Sequence, residues 1–99
     1  MTCIGLGKVT VTTSGTPILL SSVTSQQKVH KILVSFDPAD GSSEYVYVKD
    51  SGGNIYAGLS LTGSPVVIGG DPGNQLDTTK FKIDSSANGK GPIVGIDVE

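Results

Sequence analysis

Residues 29–48 alternate apolar and polar side chains in two successive runs, and that period limits what the chain can become. In Val29–Phe36, His30, Ile32, Val34 and Phe36 fall on one face, and Lys31, Leu33 and Ser35 fall on the other. In Glu44–Lys49 the two tyrosines share one face and the two valines share the opposite one. A period of two is the mark of half-buried β-strands. Between the runs lies the polar loop Asp37-Pro38-Ala39-Asp40-Gly41-Ser42-Ser43, whose Pro and Gly mark a turn. This pair of strands is expected to be the centre against which the others are laid.

The rest of the chain repeats that grammar. Residues 1–7 read as a flexible N-terminal arm, because Ile4 and Leu6 alternate with Gly5 and Gly7. Lys8–Thr13 reads as a strand with Val9 and Val11 inward, and Ile18-Leu19-Leu20 as the next. The polar connection Ser21–Lys28 is long enough to cross between sheets. Asp50-Ser51-Gly52-Gly53-Asn54 makes a turn into a strand with Ile55, Ala57, Leu59 and Leu61 on one face. Val66-Val67-Ile68 follows, then the loop 69–74, then Lys80–Asp84 with Phe81 and Ile83 inward. Asn88-Gly89 reads as a hairpin marker before the last strand, Pro92–Val98, which points Val94, Ile96 and Val98 one way. No window shows the spacing of a long helix. The expected fold is all-β, with about eight short antiparallel strands in a β-sandwich. Strand count favours a jelly-roll topology over an immunoglobulin-like one. Residues 8–99 form its single domain.

Ninety-nine residues suffice for one modest core. The single cysteine, Cys3, excludes an internal disulfide. Charged residues make up 16% of the chain, against roughly 25% in ordinary soluble domains. Low charge on a small β-domain points to a surface that meets other protein. Net charge is -2 and every basic residue is a lysine, which argues against nucleic acid. No apolar run reaches membrane-spanning length and no charged-then-apolar leader is present, so no membrane partner and synthesis in a cytoplasm are expected.

Catalytic signals are weak. His30, the only histidine, is in phase with Ile32 and Val34 and reads as a strand-end residue at the core margin. Cys3 lies on the glycine-containing arm of residues 1–7, a poor mount for a nucleophile. One His and one Cys do not make a zinc site. Asp37, Asp40, Asp50, Asp71 and Asp77 sit in loops where aspartate caps backbone amides, although calcium between such loops is the alternative. No catalytic, cofactor or metal residues are assigned, and no enzyme is expected. Tyr45, Tyr47 and Tyr56 are candidate contact residues, as a stacking platform or as packing between subunits.

Three stretches together resemble small structural proteins of tailed bacteriophages. They are Gly7–Thr13 with Gly15–Ser22, then Val29–Phe36 with Tyr45–Asp50, and Phe81–Gly89. The region from Gly63 to Asp77 is longer and richer in glycine than that pattern. The resemblance implies a β-sandwich component of the virion: a capsid decoration, or cement, protein on the outer capsid surface. It implies the major capsid protein as partner and a homo-oligomer, with a trimer favoured. The arm would lie across a neighbour with Ile4 and Leu6 as anchors. The alternative is a fibre, spike or carbohydrate-binding module.

Overall fold

Val46 and Val48 are fully buried and Tyr45 is half exposed, so the alternation of residues 45–48 is realised as a strand with one wet face. A computed structural model describes residues 2–40, 44–60, 63, 65–70 and 75–98 of the chain. Among them are ten strands: β1 (Thr2–Lys8), β2 (Ile18–Leu19), β3 (Lys28–Val29), β4 (Lys31–Ser35), β5 (Tyr45–Asp50), β6 (Ile55–Ser60), β7 (Val66–Gly69), β8 (Leu76–Asp77), β9 (Phe81–Ser85) and β10 (Ile93–Val98). Three single 3₁₀ turns, Leu20–Ser22, Pro38–Asp40 and Thr78–Lys80, punctuate them. The protein is all-β, and no helix among the described residues is long and apolar enough to cross a membrane.

Two four-stranded antiparallel sheets carry the core, in the orders β1-β10-β4-β7 and β2-β9-β5-β6. A two-stranded ribbon, β3-β8, is added to them. Register aligns the apolar faces into rows. Ile4, Ile96, Ile32 and Ile68 run straight across the first sheet. Ile18, Ile83, Val48 and Ala57 run across the second. Both rows belong to one core cluster, with Val9, Val11, Leu20 and Val29 buried alongside them.

Within these two sheets only β5 and β6 are joined as a hairpin; every other connection passes from one sheet to the other. This corrects the expected pairing of the runs in 29–48. β4 and β5 lie in opposite sheets, so the loop after Phe36 is a crossing, and their apolar faces meet through the core. The Asn88-Gly89 loop likewise crosses between sheets, because β9 pairs with β5 and β10 with β4. Instead of closing a hairpin, the Gly89 amide donates to the Val11 carbonyl at 2.8 Å.

The expected flexible arm is an edge strand. Residues 2–8 pair with β10, and Ile4 and Leu6 pack against the core rather than projecting as anchors. Pairing satisfies backbone groups that glycines would otherwise leave to water. The strand expected over 8–13 is correspondingly displaced. Register shifts between Gly5 and Gly7, and Val9 and Val11 then bond to the carbonyls of Pro92 and Lys90, at 2.9 and 2.8 Å. Both valines are inward, as their alternation requires. The inward placement expected of Ile55 fails at a bulge. Val48 faces Ala57 and Lys49 faces Ile55, which leaves Tyr56 as an extra residue and Ile55 62% exposed. Leu61 and the loop 71–74, Asp71 included, lie outside the described residues.

Two glycines are demanded by close approach. A Cβ at Gly91 would lie 1.7 Å from the Val9 carbonyl oxygen. At Gly69, where φ is +87°, a Cβ would lie 2.7 Å from both the His30 oxygen and a Leu76 methyl. Gly5, by contrast, faces open space. Gly91→Ala is therefore expected to destabilise the fold by about 3 kcal/mol or more, while Gly5→Ala stays within about 0.5 kcal/mol of the parent. Urea denaturation of the two variants checks this, and equal midpoints for both would contradict the packing at Val9.

Candidate protein-contact surfaces

β5 sets the outward side chains of the second sheet. Tyr45 is 50% exposed, and Tyr47 lies opposite Gly58, with its ring 3.6 Å from where a Cβ there would stand. That separation is ordinary van der Waals contact, so the ring lies over the Gly58 backbone with room for a methyl group there. The Lys49 ammonium is 5.9 Å from the Tyr47 ring centroid, within cation–π range. Tyr56 does not join this row. The bulge places it edge-on to Phe81, with centroids 6.0 Å apart and planes at 89°, and Phe81 packs at the core margin. Of the three tyrosines, the fold brings two onto one face and sends the third to the end of the sandwich.

The outward side of the first sheet holds residues that alternation alone did not single out. Leu33 pairs with Val67 and Gly95, and Ile93 pairs with Ser35. Leu33, Val67 and Ile93 are 38%, 54% and 40% exposed. With Gly5 opposite Gly95, they make a flat apolar surface of low relief. Apolar Leu33 among outward Lys31 and Ser35 was the visible signal in the sequence.

Beside Tyr47 lies a buried ion pair, Lys49 with Asp84. Asp84, 2% exposed, accepts from Lys49 Nζ at 2.6 Å, from the Gly15 amide at 3.1 Å and from the Ser85 amide at 2.8 Å. Ser14 reinforces the clasp by donating its hydroxyl to the Ser85 carbonyl and its amide to Asn88 Oδ1. The loop 12–16 is thereby pinned over the edge of the second sheet. Burial pushes the Asp84 carboxyl upward, but Lys49 and the amides of Ser85 and Gly15 outweigh it and hold it below the usual range. Asp97 is a second buried carboxylate, 2% exposed, whose Oδ1 has no hydrogen-bond partner. Strand periodicity gave no hint of either burial.

The loop aspartates do local work. Asp37 accepts from the Ala39 amide and pairs with Lys8 at 3.2 Å. Asp50 accepts from the amides of Gly52 and Asn54, closing the β5–β6 turn. Asp77 caps the turn at 78–80 through the Thr79 amide and hydroxyl and reaches Lys28 at 3.2 Å. Among the described residues, no three of His, Cys, Asp and Glu converge to hold a metal ion. His30 is half-buried where β3 gives way to β4; its amide donates to the Asp97 carbonyl at 2.7 Å and its carbonyl accepts from Gly70. Cys3 is an exposed free thiol on β1.

Compared with known proteins, the chain matches no family model, no curated protein and no solved structure.

Two outcomes follow from the carboxylates. Asp84→Ala is expected to remove about 3 kcal/mol and to accelerate amide exchange at Gly15. Lys49→Met destabilises too but leaves the Gly15 amide protected, because its acceptor remains. Exchange that is unchanged in Asp84→Ala would refute the clasp. Asp77 is held at about 2, below its ordinary 3.8, by the Thr79 hydroxyl and amide and then by Lys28. Asp37, Asp50 and Asp84 shift the same way. Each binds its proton more tightly in the unfolded chain, so acid favours unfolding. The contribution of Asp77 is complete above pH ~4 and fades as pH falls toward ~2. Thermal midpoints should drop across that window, and Asp77→Asn should flatten part of the slope.

Proposed function

We propose that this chain is a non-enzymatic structural protein of a phage virion, a decoration protein that ties subunits of the outer capsid together. One observation carries the reading: large apolar side chains are exposed on the outward surfaces of both sheets. Leu33, Val67 and Ile93 lie on one, and Tyr45 on the other. Two opposed contact surfaces on a rigid sandwich are what a bridging protein needs, because simultaneous contacts multiply avidity. The resemblance of Gly7–Ser22, Val29–Asp50 and Phe81–Gly89 to small phage structural proteins supports the same reading.

Strand order supports a jelly roll over an immunoglobulin-like sandwich. First and last strands are neighbours, and successive strands alternate between sheets except at the β5–β6 hairpin. The partners are then the major capsid protein and further copies of this chain. Tyr45 and Tyr47 form the contact row on one side. Ile4 and Leu6, packed against the core, shape the edge strand rather than meeting a partner.

Half-exposed Tyr45 beside Tyr47 also suits the second reading, a fibre or carbohydrate-binding module. Quantitative mass spectrometry of purified virions separates the two. A decoration protein is present in copy numbers comparable with the major capsid protein, and particles lacking it release their genome at lower temperature. A few copies per particle, or none, would overturn the decoration role; sugar binding lost in Tyr45→Ala would favour the module.

A further inference from the structure

Asn88-Gly89 lies in the crossing between β9 and β10, and its chemistry is separate from its place in the fold. The chain has three asparagines, and Asn88 alone precedes a glycine. Asparagine is a thermolabile residue, because the nitrogen of the next residue can attack its side-chain carbonyl carbon. Glycine, with no Cβ, hinders that attack least. Asn88 is exposed, so water and hydroxide reach it. Two hydrogen bonds engage the reacting groups. Asn88 Oδ1 accepts from the Ser14 amide at 2.8 Å, and the Gly89 amide donates to the Val11 carbonyl at 2.8 Å. The first polarises the side-chain carbonyl but fixes its direction. The second engages the proton that must leave before the nitrogen can attack. Both partners belong to the segment 11–15, which is held down at two further points. Asp84 Oδ1 accepts from the Gly15 amide at 3.1 Å, and the Ser14 hydroxyl donates to the Ser85 carbonyl at 2.7 Å. A single local opening of this segment therefore frees nitrogen and side chain together.

We propose that Asn88 is a site of spontaneous deamidation whose rate is set by opening of the segment 11–15, with water as the only co-reactant. When the segment lifts, hydroxide takes the Gly89 amide proton and the nitrogen forms a bond to Asn88 Cγ. The bond from Cγ to Nδ2 breaks, and the nitrogen leaves as ammonia with a proton from solvent. The resulting five-membered succinimide adds water at one of its two carbonyls, giving aspartate or isoaspartate at position 88. Nothing is oxidised or reduced. Either product adds a negative charge to a chain whose net charge is already -2. Isoaspartate also carries its Cβ in the main chain, which lengthens the crossing from β9 to β10 next to the bridge between Val11 and Lys90. The reaction is a property of the isolated chain and does not rest on capsid binding.

Intact mass and peptide mapping of the full chain, incubated warm at mildly alkaline pH, test it. Asn88 of the folded wild type is expected to convert from amide to acid, with isoaspartate among the products. Conversion should be about tenfold slower or more than in the same chain unfolded in urea. Asp84→Ala releases Gly15 and should raise the folded-state rate several-fold. Ile68→Ala, a core truncation of comparable cost on β7, should leave that rate close to the wild-type value. No conversion at Asn88, a folded-state rate equal to that in urea, or equal acceleration by the two variants overturns the proposal. Should Asp84→Ala fail to fold, Ser14→Ala takes its place. It removes only the hydroxyl bond to Ser85, and a rate no faster than wild type then overturns the proposal.

Discussion

Everything in this fold depends on two apolar rows meeting across the space between the sheets. One is the isoleucine row of positions 4, 96, 32 and 68; the other is Ile18, Ile83, Val48 and Ala57. Burial of apolar surface contributes roughly 25 cal/mol per Å², and β-branched residues cover a pleated sheet with little loss of rotamer freedom. With no disulfide available, this contact is the main source of cohesion. It also ties distant segments together, since each row draws one residue from each of four strands.

Polar interactions act at the margins of that core. The carboxylates of Asp37, Asp50 and Asp77 each satisfy backbone amides in turns, where water already competes, so each contributes modestly. Asp84 differs because it is buried and receives three donors, one of them from a loop 69 residues away in sequence. That clasp fixes the loop 12–16 beside the tyrosine row. The second sheet presents Tyr45 and Tyr47 and the first presents Leu33, Val67 and Ile93, so the molecule has two outward surfaces of different character. One is aromatic and flanked by charge; the other is aliphatic and floored by glycine.

Period-two alternation identified most strands and their inward residues, including Val9, Val11, Ile32, Val34, Val46, Val48, Ile83, Val94 and Ile96. It failed where a single residue interrupts the count. Tyr56 is inserted at a bulge, so the face of Ile55 inverts relative to expectation. The glycine-rich start of the chain looked mobile because glycine propensity is local, whereas its order comes from pairing with residues 93–98. Of the candidate contact residues, Tyr45 and Tyr47 were legible as a face, while the packing of Ile4 and Leu6 against the core comes from the same pairing as the order of the arm.

The amino-acid order alone determined that this chain is all-β and which side chains of most strands point inward, because those properties depend on neighbours one or two positions apart. Only the tertiary structure decided which strands pair. The runs of 29–48, read from the sequence as a central pair, lie in opposite sheets, since a pair and a crossing bury the same faces and differ only in what lies beside them. It likewise decided that Asp84 and Asp97 are buried and that β6 ends its sheet, because burial and edge position are set by segments far away in sequence.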